Sequence, residues 1–211
     1  MHVILASGSP RRRDLLRREG VRFEVRCADV DESLDDDVAS RPHDAAMHLA
    51  ARKAGAVAKL VAGQLEADVR AGKHVSDTLV IGSDTMVVLE GRIFGKPVDW
   101  RDAAEMLESL SGRTHEVVTG VSVWRVHVGR DGVASLSQDA FEETARVTFR
   151  ELSAADIADY LACGESFDKA GAYAVQGEGA RLVSGFEGDR DAIVGLPVKR
   201  LIETHPELLE A

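Results

Sequence analysis

Cysteine is nearly absent: Cys27 and Cys163 are the only two in 211 residues, far apart and outside any paired motif. That excludes a disulfide framework and a cysteine-ligated zinc site, and it suits a reducing compartment. Long apolar runs are missing too. No stretch approaches the roughly 20 residues needed to cross a bilayer. The N-terminus lacks the basic segment, apolar run and small-residue cleavage site of a secretory leader. A cytoplasmic protein with no membrane partner is the expectation. Aromatics make up only 5% of the chain, so Val, Ala, Leu and Ile must build the core within the 45% hydrophobic content. Excess positive charge is also lacking, since 36 acids against 26 bases leave a net charge of −10. A binder of polymeric nucleic acid needs a basic face to neutralise phosphates, and this balance argues against one. The bases cluster locally instead, at Arg11-Arg12-Arg13, which suits a small anionic ligand.

The pattern of elements alternates. His2–Ala6 reads as a short strand, Ser7-Gly8-Ser9 as a loop and Pro10–Glu19 as a helix. Ser9 is a good N-cap there, and Pro10 fits the first helical position. Gly20 stops that helix, Val21–Arg26 reads as a second strand, and the acidic stretch Asp29–Asp37 as a loop. A long helix is predicted over Ala45–Val61, followed by a polar, solvent-exposed extension over Gly63–Asp77. Thr78–Ile81 is a buried strand that ends in Gly82-Ser83-Asp84-Thr85. Met86–Leu89 and Arg92–Phe94 flank a hairpin turn at Glu90-Gly91. Asp99 caps a helix to Ser111. Thr114–Val126 and Ala140–Arg150 are long strands, joined by a loop centred on Arg130-Asp131-Gly132. Ser153 to Asp156 resembles a capping box, and a last helix begins at Pro197. With no repeat, low-complexity tract or linker, the expectation is one domain over residues 1–211. It is α/β, a mixed twisted sheet with flanking helices, in two lobes around a cleft.

Three places break local rules. Three arginines occupy the first turn of the helix after Ser9, where the helix dipole disfavours cations. With Gly8 and two hydroxyls they would form an anion cradle of N–H groups and guanidinium forks. Equally, they could point into water and pair with Asp14 or other acids. Asp84 follows the apolar run Leu79-Val80-Ile81, where an acid caps a helix, starts a turn or works in a cleft at a strand's carboxyl end. Lys53 falls within the apolar stripe Ala46, Leu49, Ala50, Val57, Leu60, so it must snorkel to an edge or face a polar cavity. Lys96, in Gly95-Lys96-Pro97, follows the hairpin and could fold back over the same strand end. A single arrangement accounts for all three departures: an anion cradle, a lysine reaching it, and a carboxylate able to hold a divalent metal. Phosphoryl chemistry calls for that set. Neither a P-loop nor a dinucleotide fingerprint is present, and Ser7-Gly8-Ser9 is no nucleophile elbow.

Six blocks, in order, carry a family resemblance: Ile4-Leu-Ala-Ser-Gly-Ser-Pro-Arg-Arg-Arg13, Val80-Ile-Gly-Ser-Asp-Thr85, Gly95-Lys-Pro97, Leu110-Ser-Gly-Arg-Thr-His-Glu-Val-Val-Thr-Gly120, Lys169-Ala-Gly-Ala-Tyr-Ala-Val-Gln-Gly177 and Val194-Gly-Leu-Pro197. On these the chain resembles the Maf (septum formation) family of nucleoside triphosphate pyrophosphatases. The polar stretch around Gly63–Asp77 and the Arg130 loop fall outside the blocks.

The resemblance implies a Maf/ITPase-like fold and hydrolysis between the α- and β-phosphates of a nucleoside triphosphate, with Mg²⁺ or Mn²⁺ as cofactor and a homodimer as the assembly. It implies Asp84 as the proton acceptor that activates water and as a metal ligand beside Glu32. Ser7, Arg12, Arg13, Lys53 and Lys96 would grip the triphosphate. Arg11, Thr85 and Gln176 would discriminate the base and favour the dTTP/UTP branch, because an amide both donates and accepts and so suits an imide edge. The competing branch acts on 7-methyl-GTP, and a competing class is a nucleotide-binding regulator of cell division. Ser83 departs from the commoner Ala before the Asp. His115 and Thr119 lie in a matching block and read as strand residues.

Overall fold

The computed structural model describes residues 1–210, with Asp36 by its backbone alone. Its seven strands are β1 (His2–Leu5), β2 (Glu24–Val25), β3 (Thr78–Leu89), β4 (Arg92–Phe94), β5 (Thr114–Val128), β6 (Ala134–Phe149) and β7 (Val183–Glu187). They form a mixed sheet in the order β2-β1-β3-β5-β6-β7, with β4 paired to β3. β1 runs parallel to β2 and β3, and the other pairs are antiparallel. The helices are α1 (Pro10–Arg18), α2 (Asp36–Ala39), α3 (Pro42–Arg70), α4 (Trp100–Leu110), α5 (Ala154–Ala162), α6 (Arg190–Val194) and α7 (Val198–Thr204). The expected mixed α/β sheet with flanking helices is what forms. Among the described residues, no helix is long and apolar enough to cross a membrane.

Helix α3 covers one face of the sheet, and small residues let it come close. A Cβ at Gly82 would stand 2.7 Å from the Ala50 carbonyl oxygen, and one at Gly120 2.6 Å from the Met47 amide nitrogen. Ala46, Ala50 and Ala54 of α3 are fully buried against them. This close approach sets the height of Lys53 above β3.

The opposite face carries two separate apolar clusters. One joins Leu5, Leu16, Val121 and Leu201 beneath α1 and α7. The other joins Leu107, Val117, Phe149 and Tyr160 beneath α4 and α5. Between them the sheet has a notch. β1 accompanies β3 only from Thr78 to Ile81, and β4 joins only at Val87. Residues Gly82–Met86 of β3 are therefore paired on one side, to β5, and open on the other.

Several boundaries differ from the sequence expectation. α3 begins at Pro42 and continues to Arg70, through what reads as a solvated extension. The helix-forming run Gln64–Ala67 outweighs the cost of Gly63, Leu65 packs on the core, and Glu66 pairs with Arg70 one turn on. Leu60, placed in the apolar stripe from sequence, is exposed. The strand at Thr78 runs on to Leu89 as one element, because pairing with β5 continues through Gly82–Thr85. Asp84 thus lies mid-strand, and the carboxyl end beside it is that of β1. The second strand shrinks to Glu24–Val25, since short β1 offers only Ile4 and Leu5 as partners. The expected acidic loop Asp29–Asp37 gives way at its end to a helical turn, Asp36–Ala39. β5 and β6 extend towards each other around a tight turn, where the Gly129 N–H donates to the Val133 carbonyl and the Val133 N–H to Asp131 Oδ1. At the β3–β4 hairpin, Glu90 and Gly91 both take positive φ, the mirror-image turn that matches strand twist.

Candidate active site

The notch opens into a cavity of about 410 Å³, lined by Arg11, Arg12, Glu32, Lys53, Asp84, Thr85, Lys96 and Gln176 among others. That volume lies in the range of small-molecule sites. Its inner wall is apolar, with Leu49, Met86, Val87, Phe94, Val117 and Ile193. Eight of the ten residues named from sequence therefore face one space. Ser7 and Arg13 do not line it. Ser7 is buried behind Arg12, and the Nε of Arg13 is buried without a partner among the described residues.

Arg12 is the best-anchored cation of the site. Its Nε donates to the Gly195 carbonyl at 2.8 Å, its Nη1 to Ser7 Oγ at 3.1 Å and its Nη2 to Thr85 Oγ1 at 3.3 Å. A guanidinium has five N–H donors, so two stay available to an anion in the cavity. Burial lowers its pKa, and the Asp84 carboxylate opposes that shift. Ser9 takes the N-cap backbone conformation, yet its side chain makes no capping bond. Its N–H donates to Ser7 Oγ at 3.3 Å instead, which ties the loop to the hydroxyl that holds Arg12.

Lys53 reaches across from α3. Its Nζ lies 2.6 Å from Asp84 Oδ1 and 3.1 Å from Glu32 Oε2. The Lys53 and Asp84 side chains are only 18% and 14% exposed, so solvent screens this pair weakly. The loop carrying Glu32 is held in place on both sides. Asp31 accepts from the Ser33 N–H at 2.9 Å and from its hydroxyl at 2.7 Å. Those hydrogen bonds hold the Asp31 carboxyl below its ordinary range. Arg52, next to Lys53 on α3, donates to the carbonyls of Asp31 and Ser33 at 2.5 and 2.8 Å.

Among the described residues, no group of three or more His, Cys, Asp or Glu side chains gathers into a metal cage. Two carboxylates do converge on Lys53. Mg²⁺ binds in this manner, through one or two carboxylates plus substrate phosphates, and keeps several waters. The donor set fits such a cation held jointly with a phosphate chain.

At the rim, exposed Lys96 faces the cavity from the segment after β4, while Arg11 lies 3.7 Å from Asp168. Burial pushes the Asp168 carboxyl up, but the hydrogen bond from Lys169 and the charge of Arg11 outweigh it and leave the group below its ordinary range. Lys169, also lining the cavity, was not singled out from sequence. Five cations (Arg11, Arg12, Lys53, Lys96, Lys169) thus face three carboxylates (Glu32, Asp84, Asp168), a local surplus of positive charge in an acidic protein.

Behind the wall lie Thr119 and His115, which read from sequence as strand residues, and Ser83, which read as a departure from the family's commoner Ala. Thr119 is fully buried, and its hydroxyl touches Thr85 Oγ1 at 2.9 Å and the Ala192 carbonyl at 2.7 Å. Ser83 donates to the same Gly195 carbonyl as Arg12, at 2.8 Å. His115 is buried, with Nε2 2.7 Å from the Tyr173 hydroxyl, and burial lowers its pKa to about 4. The available signal was a run of polar residues on otherwise Val-rich strands.

The family described as Maf-like protein matches residues 2–207. Proteins named dTTP/UTP pyrophosphatase from Bacillus cereus and Bacillus anthracis are each 42% identical to the chain over 200 residues, covering 95% of it and 92% of the relative. A solved nucleoside-triphosphatase (dITP/XTP pyrophosphatase) from Mycobacterium abscessus aligns over 98% of this chain and 94% of its own, at 13% identity and a TM-score of 0.38, too distant to argue from. With a family match across nearly its whole length and relatives of this identity, the chain belongs to the Maf family.

Proposed function

We propose that the chain is a nucleoside triphosphate pyrophosphatase that converts dTTP and UTP to the monophosphate and pyrophosphate. The observation that carries this reading is the placement of the Lys53–Asp84–Glu32 cluster and the anchored Arg12 guanidinium around one cavity. The names of the relatives support the pyrimidine substrates.

In this reading a water attacks the α-phosphorus, the bond to the α–β bridging oxygen breaks, and pyrophosphate leaves. The proton goes to Asp84, whose Oδ1 is held by Lys53, so that its other oxygen meets the water. Arg12 meets the phosphate chain with its two uncommitted N–H donors, Lys96 comes from the rim, and Ser7 acts through Arg12. Arg13 stands behind this first line of contacts. Glu32 and Asp84 would hold a divalent cation, Mg²⁺ or Mn²⁺, which supplies charge neutralisation at the leaving pyrophosphate. Arg11, Thr85 and Gln176, which line the same cavity, read the base.

The chain acts in this proposal as one domain over residues 1–211, as a cytoplasmic homodimer, on a small nucleotide and not on polymeric nucleic acid. The net charge of −10 supports that last choice. A panel of canonical, modified and 7-methylated triphosphates, assayed for pyrophosphate with titrated Mg²⁺ and Mn²⁺, tests the reading. Preferred release from dTTP and UTP supports it. A preference for 7-methyl-GTP, or nucleotide binding without turnover, overturns it.

A further inference from the structure

The hydrogen bonds behind the cavity wall have one proton arrangement. At one end stands the Ala192 carbonyl, which can only accept, so Thr119 donates its single hydroxyl proton there, at 2.7 Å. Thr119 then has only lone pairs for Thr85 Oγ1 at 2.9 Å, so Thr85 donates to Thr119. At the other end stands the Arg12 Nη2, which can only donate, and it gives a hydrogen bond to Thr85 Oγ1 at 3.3 Å. Both hydroxyl protons point away from the cavity, towards Ala192. Thr85 lines the cavity, and what it can offer a ligand is its remaining lone pair.

We propose that Thr119 is a positioning residue for substrate choice: it takes the Thr85 proton, so that Thr85 meets the base as an acceptor. Thr85 then favours the N3–H of thymine or uracil over the bare N3 lone pair of cytosine. This rests on the nucleotide reading above and adds a cause for discrimination among pyrimidines. The fold supports the arrangement. Thr85 and Thr119 are directly opposed in the β3–β5 register, Thr119 is fully buried, and no water is needed to satisfy either hydroxyl. A base offering an acceptor here would face another acceptor. A site built for one hydrogen-bond polarity rejects the opposite one strongly.

The experiment compares kcat/KM for dTTP against dCTP, and for UTP against CTP, in the wild type and three variants. Each pair shares its sugar and phosphates, so only the base contact differs. Thr119→Val is near-isosteric and frees the Thr85 proton to turn into the cavity. The expected result is a loss of the thymine-over-cytosine and uracil-over-cytosine preference by about tenfold or more, carried mainly by KM. Thr119→Ser restores the preference, and Thr85→Val loses it by a second route. Equal losses on both bases in Thr119→Val would mark a purely structural role and overturn the proposal. So would an unchanged ratio in Thr85→Val, which decides the matter if Thr119→Val fails to fold. A wild type that turns over dTTP and dCTP equally overturns it while leaving the pyrophosphatase reading intact. A wild type that releases no pyrophosphate from any triphosphate removes both.

Discussion

The Lys53 ammonium lies 2.6 Å from Asp84 Oδ1, joining helix α3 to the middle of strand β3. Among the described residues it is the one side-chain hydrogen bond to the Asp84 carboxylate, and it engages Oδ1. Lys53→Met keeps the apolar stem and removes the charge. It is expected to lower kcat for pyrophosphate release by about 100-fold or more, the usual scale for losing one preorganised charge contact at a reacting centre. Steady-state kinetics on dTTP check this, and a variant within a few-fold of wild type would rule out the assigned role.

Close packing between α3 and the sheet holds that pair together. Gly120→Ala places a methyl against the backbone of Ala46 and Met47, where nothing flexible can yield. Overpacking of this kind costs about 1–3 kcal/mol or more. Thermal unfolding is expected to fall by several degrees, and activity should fall further than stability because Lys53 is lifted from Asp84. Gly63→Ala, on a position with open space around it, is the control and should raise helix stability slightly.

The site was legible where the chain breaks local rules. Arginines at a helix start, an acid beside a core strand and a lysine in an apolar stripe are each visible within a few residues. What stayed hidden depends on register and long-range contact. Thr119 matters because it stands opposite Thr85 and beneath Ala192, 34 and 73 residues away. Ser83 and Arg12 meet at the Gly195 carbonyl, a junction that no local window contains. Elements were legible by type and less so by extent. α3 outran its apolar stripe because polar helix formers carry a helix as readily as apolar ones, and β3 ran through Gly82–Thr85 because its partner strand does.

Glu32 reaches the cavity on a loop clamped by Arg52. If it shares a cation with Asp84, chelation with EDTA abolishes turnover and added Mg²⁺ or Mn²⁺ restores it. Glu32→Gln should raise the half-saturating Mg²⁺ concentration by about tenfold, equivalent to one lost contact to a charged group. An unchanged metal titration would remove Glu32 from that role.

His115 makes a pH prediction for stability. Burial holds its folded-state pKa at about 4, below the ordinary value of 6.5. Above 6.5 the imidazole is neutral in both states, so the stability is fully present. As pH falls from 6.5 to 4 only the unfolded chain takes up the proton, and stability drops by about 3 kcal/mol. Below 4 the loss is complete. Urea unfolding across this window should show the decline in the wild type and a flatter profile in His115→Gln. Parallel profiles would contradict the assignment.

The most direct test of the central claim is pyrophosphate release from dTTP and UTP by the wild type and by Asp84→Asn, at saturating Mg²⁺, with nucleotide binding measured in parallel. The expected outcome is pyrophosphate and monophosphate in equal amounts from the wild type. Asp84→Asn should turn over about 10²–10⁴-fold more slowly while still binding nucleotide. Wild-type turnover retained in Asp84→Asn, or orthophosphate as the wild-type product, would contradict it.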